Sequence, residues 1–326
     1  MNWLAWRHRL EYAAFRLFEC LAQMLSPQRA RELAESLGFV LHRVLPRKWT
    51  RYDVAFANLR QALGPDASEE TIDGHIRKMW VHLIRMAIEI MQLHRKVRTD
   101  NILDIVRYGH GRDDCWRAFN SGRPVIVVGG HFGNWEVANT LLGLFGIPMG
   151  IIARNLDNPY LHAYFQRFRE STGHRLFDRD NATEQMLPML EQRGYIGLLC
   201  DQDAGTRRGI FVDFFGKPAS TYKSIALVAC QTRALICVAG AYRLPDELSP
   251  TRTGGPAWSR FELVCEEVID PLQFDGLDAI QEITQRYTNA LERLIRRAPE
   301  QYFWVHRRWK TPAGARRGKA RRRAAA

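Results

Sequence analysis

The chain has 326 residues, 46% of them hydrophobic, enough for a sizeable core in one large domain or two smaller ones. Lysine and arginine outnumber aspartate and glutamate 47 to 35, and the resulting charge of +12 implies an anionic partner: nucleic acid, an acidic membrane surface or a phosphorylated substrate. The six cysteines are scattered without a C-x-x-C pair, which argues for reduced thiols in a cytosolic setting and against a disulfide framework or a zinc knuckle.

The first hundred or so residues read as helical. Charges interrupt every apolar run near the N-terminus, so no secretory signal and no spanning helix of about 20 apolar residues is expected there. Trp3, Trp6, Leu10, Ala14, Leu17, Leu21 and Met24 instead fall at steps of three and four, on one helical face. With Arg7, Arg9 and Arg16 off that face, the segment suits a helix lying in a membrane interface, or one packed against the rest of the protein. Ser26-Pro27 marks a second helix start, with Leu33, Leu37, Val40, Leu41 and Val44 on its apolar face and Pro46 at its end. RYDVAFANLRQAL and WVHLIRMAIEIMQLHR follow, separated by the turn-like Gly64-Pro65-Asp66.

From about residue 122 the texture changes. PVIVV, GIIA, YIGLLC, ALICVAG and RFELVC are short branched apolar runs, and helix-like stretches separate most of them. This alternation predicts an α/β fold: a mostly parallel central sheet flanked by helices, preceded by the helical N-terminal region. We expect that region over 1–110, the α/β core over 111–312 and a disordered basic tail over 313–326, with six basic residues between Arg316 and Arg323.

VVGGHFGNWE, residues 127–136, carries the chemistry. His131 lies just past the carboxyl end of a predicted central strand, where ligands bind in open α/β sheets. Gly129 and Gly130 allow a sharp turn and a close substrate approach. Asn134 is a good helix cap, with Trp135-Glu136 opening the helix. On one continuous helix His131 and Glu136 would face roughly 140° apart. With His131 in the turn, the carboxylate can instead reach the ring, fix its tautomer and leave the other nitrogen as a general base. The helix start, with Gly133 and Asn134, can support an oxyanion or simply cap the helix. No nucleophile accompanies the pair, so the substrate is expected to supply one. The plain alternative is that His131 caps the strand and Glu136 the helix.

Several further stretches admit two readings. Arg154 follows the GIIA strand and is either a site residue or a plain surface arginine. Asp201 and Asp203 in CDQDAG follow another strand end and are either rim residues or loop-stabilising side chains. Phe211, Phe214 and Phe215 suit the wall of an apolar pocket or the core. Tyr302, Phe303, Trp304 and Trp309, interleaved with His306, Arg307 and Arg308, suit an anionic lipid surface first and core packing second.

With these residues in view, the chain resembles the lipid A biosynthesis acyltransferases, the lauroyl/myristoyl transferase group within the glycerol-phosphate acyltransferase-like fold. His131 and Glu136 match that group's His-x-x-x-x-Asp/Glu motif. The resemblance continues through ARNLDNPYL, LLCDQDAG with FVDFFGKPAST, and PEQYFWVHRRWK. It implies transfer of a fatty acyl chain from acyl carrier protein to a hydroxyl of a lipid A precursor, with His131 and Glu136 catalytic and Arg154, Asn158, Asp201 and Asp203 binding substrate. It implies no metal or cofactor, and a peripheral or monotopic place on the cytoplasmic face of the inner membrane. The N-terminal segment is less hydrophobic than that family's anchoring helix. Other acceptors, such as a mannosylated phosphoinositide or a lysophospholipid, fit the same chemistry. A nucleic-acid-binding protein fits the charge alone and lacks a recognition motif. A metal-dependent hydrolase lacks a second placed histidine.

Overall fold

The computed structural model describes residues 3–246 and 258–314, so the basic tail from residue 315 onward lies outside the described residues. The longer helices are α1 (Trp3–Met24), α2 (Pro27–Phe39), α3 (Tyr52–Leu63), α4 (Glu69–Lys96), α5 (Arg112–Phe119), α6 (Trp135–Leu144), α7 (Pro159–Glu170), α8 (Ala182–Glu191), α9 (Ser224–Thr232) and α10 (Ala279–Arg297). The strands are β1 (Val106–Tyr108), β2 (Val125–Gly129), β3 (Met149–Ala153), β4 (Arg175–Asp178), β5 (Tyr195–Leu199), β6 (Gly209–Phe214), β7 (Lys217–Tyr222), β8 (Leu235–Arg243) and β9 (Phe261–Ile269).

Seven strands form one sheet in the order β1-β9-β8-β2-β5-β3-β4, and only the β8–β9 ladder is antiparallel. This is the mostly parallel, helix-flanked sheet predicted from the alternating texture. β2 sits at its centre and is buried on both faces, as a parallel strand requires. Ile126 and Val128 pack with Val228 of α9 and Ile283, Tyr287 and Leu291 of α10. Val125 and Val127 point the other way, toward Phe119, Ile147 and Met149. FVDFFGKPAST is a separate antiparallel hairpin, β6–β7, turning at Phe215-Gly216, where both residues have positive φ (53° and 71°). Such two-residue turns match the twist of paired strands. Phe214 and Phe215 lie in the core of this hairpin's contact with Trp304 and Trp309, outside the cavity described below.

The N-terminal helices begin where capping chemistry places them. The Ser26 hydroxyl accepts from the Arg29 amide at 3.2 Å with Pro27 following, and Ser68 caps α4 through the Thr71 amide at 3.1 Å. α1 turns His8, Glu19 and Ala22 inward and docks on α7, where Tyr164 donates to Glu19 at 2.6 Å. Its predicted apolar face is turned outward: Trp3, Leu10, Leu17 and Met24 are each more than 60% exposed. The reading of that face as packed on the protein is therefore replaced by an uncovered one. No helix among the described residues is long and apolar enough to cross a membrane.

α4 is clamped to the sheet by a buried charge cluster. Arg243 of β8 makes a bidentate pair with Glu89, both contacts at 2.6 Å, and Arg243 also donates to His82 Nδ1 at 2.6 Å. An arginine only donates, so Nδ1 accepts and the proton sits on Nε2, which donates to the Gly133 carbonyl at 3.1 Å. Burial and then the nearby Arg243 charge lower the pKa of His82, which keeps it neutral. Removing one partner of such a buried pair costs about 3–5 kcal/mol, because the other charge is stranded.

The C-terminal segment after α10 is core rather than a lipid-facing surface, which corrects the first reading of PEQYFWVHRRWK. Tyr302, Trp304 and Arg308 are buried, and Asn58 of α3 donates to the Trp304 and His306 carbonyls at 2.7 and 2.8 Å. Trp304 in turn donates its indole N–H to Pro299. Aromatic bulk and one polar atom per ring satisfy the core here, not headgroups.

Candidate active site

The site starts from strand register. β2 and β5 are parallel neighbours with Gly129 opposite Leu199, and the Cys200 amide continues the ladder by donating to the Gly129 carbonyl at 2.9 Å. Two residues beyond each strand end, His131 and Asp201 therefore meet. Asp201 holds the histidine at two points. Its Oδ2 accepts the His131 backbone N–H at 2.9 Å and its Oδ1 the Nδ1–H at 2.8 Å. A carboxylate only accepts, so Nδ1 carries the proton and Nε2 keeps its lone pair. Burial would push the His131 ring below its ordinary pKa, but the Asp201 charge and hydrogen bond outweigh it and raise the pKa. Burial likewise opposes ionisation of Asp201, yet His131 holds its carboxyl well below the usual carboxylate range. Trp135 meets the imidazole edge to face, with ring centroids 5.1 Å apart. His306 lies behind the pair, 6.3 Å from the His131 ring, its pKa lowered by burial.

Glu136 was expected to orient the ring. Its carboxylate is instead engaged by Arg169 of α7, at 2.6 Å to one oxygen and with Nε 3.2 Å from both. The two side chains are 5% and 20% exposed, and both line the cavity in front of His131. The helix geometry is the reason: Glu136 sits in the first turn of α6 facing α7, while the strand register has already supplied Asp201 to the ring.

Other sequence candidates separate. Asn134 caps α6 through the Val137 amide at 3.2 Å and donates to Glu89 at 2.9 Å. Gly133 has φ of +59°, and a Cβ there would lie 1.9 Å from the Ala241 carbonyl oxygen, so no other residue fits. Its amide donates to the Gln301 carbonyl at 2.9 Å, so it is not a donor for an oxyanion. Asn134's own amide goes to Ala241 and Val137's to the cap. Among the described residues, no acceptor engages the Trp135 and Glu136 amides, the first two of α6. Asn158 was expected to bind substrate. It is buried, caps α7, and spends its Nδ2 on the His8 carbonyl and Glu11 of α1, both at 2.9 Å. Asp203 is taken by the Thr311 amide and hydroxyl at 3.2 and 2.8 Å. Asp201, placed by sequence at the rim, is the buried partner of the histidine. Arg154 is exposed, 3.5 Å from Asp157, and lines the cavity.

That cavity has a volume of about 920 Å³ and opens at the carboxyl ends of β2, β3 and β5. This is at the upper end for a small-molecule site. Arg154, Arg179, Arg207 and Arg208 form its exposed rim, with Arg169 and Lys223 half-buried inside it. Sequence reading named only Arg154 of these. An apolar lobe runs from His131 between α5, α6 and the sheet, walled by Trp116, Phe119, Val127, Leu142, Phe145 and Ile147.

Fold and site together define an α/β protein with an oriented histidine at the carboxyl edge of its sheet, its Nδ1 held and its Nε2 left open, facing a cavity that is apolar at depth and cationic at the rim. The chain belongs to the bacterial lipid A biosynthesis acyltransferase family, whose model matches residues 10–311. It is similar to the lipid A biosynthesis palmitoleoyltransferase of Escherichia coli K12, 28% identical over 63% of this chain and 62% of that protein. A lipid A biosynthesis acyltransferase of Haemophilus influenzae is 22% identical over 89% of this chain and 84% of that protein. The phosphatidylinositol mannoside acyltransferase of Mycolicibacterium smegmatis is 28% identical over 41% of this chain and 44% of that protein. In the palmitoleoyltransferase match the chain thus spans 62% of the relative's length.

In an NMR titration the His131 imidazole is expected to titrate above the ordinary histidine value of about 6.5. In Asp201→Asn, burial is left unopposed and the same resonance should titrate below it. A wild-type value at or below the ordinary one would refute the two-point grip.

Proposed function

We propose that this chain transfers a fatty acyl group from an acyl thioester, with acyl carrier protein as donor, to a hydroxyl of a lipid A precursor. The observation that carries the reading is His131 with Nδ1 fixed on Asp201 and, among the described residues, no serine, threonine or cysteine hydrogen-bonded to its Nε2. A base without a nucleophile activates a substrate hydroxyl. In this mechanism Nε2 takes the hydroxyl proton as the oxygen attacks the thioester carbonyl. The amides of Trp135 and Glu136 face the resulting oxyanion. Collapse breaks the carbon–sulfur bond, and the departing thiolate recovers the proton from the imidazolium. Asp201 stabilises that cation throughout. Glu136 acts in this scheme by holding Arg169 toward the cavity.

Substrate assignment rests on the cavity. The apolar lobe accepts an acyl chain, and the arginine rim suits phosphate groups of the acceptor. The family membership supports the lipid A class. The match to a phosphatidylinositol mannoside acyltransferase supports a second reading, in which the acceptor is another phosphorylated glycolipid. We place the protein peripherally on the cytoplasmic face of the inner membrane; contact with a membrane is supported by the outward apolar face of α1 and by Phe39, Val44 and Trp49, each more than half exposed.

Mass spectrometry of products tests the reaction. Wild-type protein with acyl carrier protein thioesters and a tetra-acylated lipid A precursor should add a single acyl group, and His131→Ala should lose at least about a hundredfold in rate. Equal rates in the two proteins would end the general-base reading, and transfer only to a mannosylated phosphoinositide would move the acceptor to the second class. Membrane attachment is tested separately by sedimentation with anionic vesicles. Trp3→Ser with Trp6→Ser should reduce the bound fraction several-fold, and unchanged binding would remove α1 from the interface.

A further inference from the structure

Three of the six cysteines converge in space. Cys115 of α5, Cys237 of β8 and Cys265 of β9 place their Sγ atoms all within 4.8 Å of one another. Nothing in their sequence spacing announces this. The fold does it: α5 packs across β9, and β8 and β9 are antiparallel neighbours whose register breaks between Val238 and Ala239, opposite the step to Cys265. No disulfide joins them. Cys237 and Cys265 are buried and Cys115 is half-buried.

The geometry suits a soft cation. A zinc–thiolate bond of about 2.3 Å puts tetrahedral sulfurs about 3.8 Å apart. The three sulfurs lie within 4.8 Å of one another, close to that spacing. Three sulfurs make one face of a tetrahedron, and Cys115 and Cys265 also line the large cavity. The fourth position therefore opens toward the cavity, where water can fill it. Among the described residues no histidine or carboxylate joins the group, so the donor set is all sulfur and selects against magnesium or calcium.

We propose that Cys115, Cys237 and Cys265 bind a thiophilic divalent cation of the zinc class through three thiolates, with the fourth position on the cavity. Binding releases three thiol protons to solvent, and the divalent charge leaves the buried cluster one unit negative rather than three. The ion would pin α5 to the β8–β9 ladder behind Phe119 and Trp116, in the wall of the apolar lobe. It takes no part in the transfer chemistry at His131.

Cobalt is the probe. Full-length protein, reduced and stripped with chelator, is titrated with Co²⁺ alone. A near-ultraviolet sulfur-to-cobalt charge-transfer band and visible bands of tetrahedral type are expected, saturating at a single equivalent and bleached by Zn²⁺. Cys115→Ser should lose the charge-transfer band, while Cys20→Ser, outside the cluster, keeps it. A second measurement needs no variant: Zn²⁺ should slow alkylation of Cys115 at least tenfold and leave Cys20 unaffected. Absence of charge transfer in wild type, a band that survives Cys115→Ser, or equal alkylation of Cys115 with and without zinc would each overturn the site.

Discussion

The two hydrogen bonds from His131 to Asp201 are the constraint on which the rest of the site depends. They exist because two parallel strands end in step. Gly129 faces Leu199, and the same two-residue offset carries the chain to each partner. A shift of one residue in that ladder would turn one of the two side chains to the opposite face of the sheet and separate the pair. Asp201 is 1% exposed, so its charge is sustained chiefly by the charge and the two donors of His131, with His306 adding to them. Pairing and sheet register thus enforce each other: a slipped ladder would leave a buried carboxylate without its partner.

The scaffold around the pair holds the same short loop from three sides. His82 and Asn134 tie it to the Glu89–Arg243 cluster of α4 and β8. Gly133 brings the backbone against β8, closer than any side chain allows. From the C-terminal segment, the Phe303 amide donates to the His131 carbonyl at 3.0 Å and Gln301 accepts from Gly133. The histidine loop is consequently held by His82, Asn134, Gln301 and Phe303, which lie outside the cavity lining. Such fixed geometry is what makes a weak base useful, since proton transfer depends on placement before it depends on pKa.

Much of this was legible in the sequence, for identifiable reasons. Short branched runs alternating with helical stretches gave the sheet, and GGHFGNWE gave the strand end, the turn and the Asn134 cap. The three-residue β1 and the partly exposed β4 escaped, because neither has a continuous apolar run. The partner of His131 was misassigned because a carboxylate five residues away is visible in one dimension, whereas Asp201 is seventy residues away and adjacent only through the β2–β5 ladder. A signal was present: YIGLLCDQD repeats the strand-then-polar layout of PVIVVGGH, with both charged residues just past the strand. Asn158 and Asp203 stood as binding residues on the family resemblance, yet each is consumed by contacts with distant segments, α1 and Thr311. The aromatic C-terminal segment read as lipid-facing because composition cannot distinguish a buried aromatic cluster from an interfacial one. The apolar face that periodicity predicted for α1 is present and uncovered.

The most direct measurement is the pH dependence of kcat/KM for acyl transfer in wild type, Asp201→Asn and Glu136→Gln. This profile reports the ionisation of the free enzyme's base. His131 must be neutral to accept a proton, so activity should fall as pH drops through its raised pKa. Removing the Asp201 charge should move that acid limb to lower pH and reduce the plateau by about 10²- to 10⁴-fold. Glu136→Gln should leave the limb where it is, whatever it does to the plateau. A limb that moves with Glu136 and stays fixed in Asp201→Asn would contradict the assignment and return the orienting role to the carboxylate five residues away.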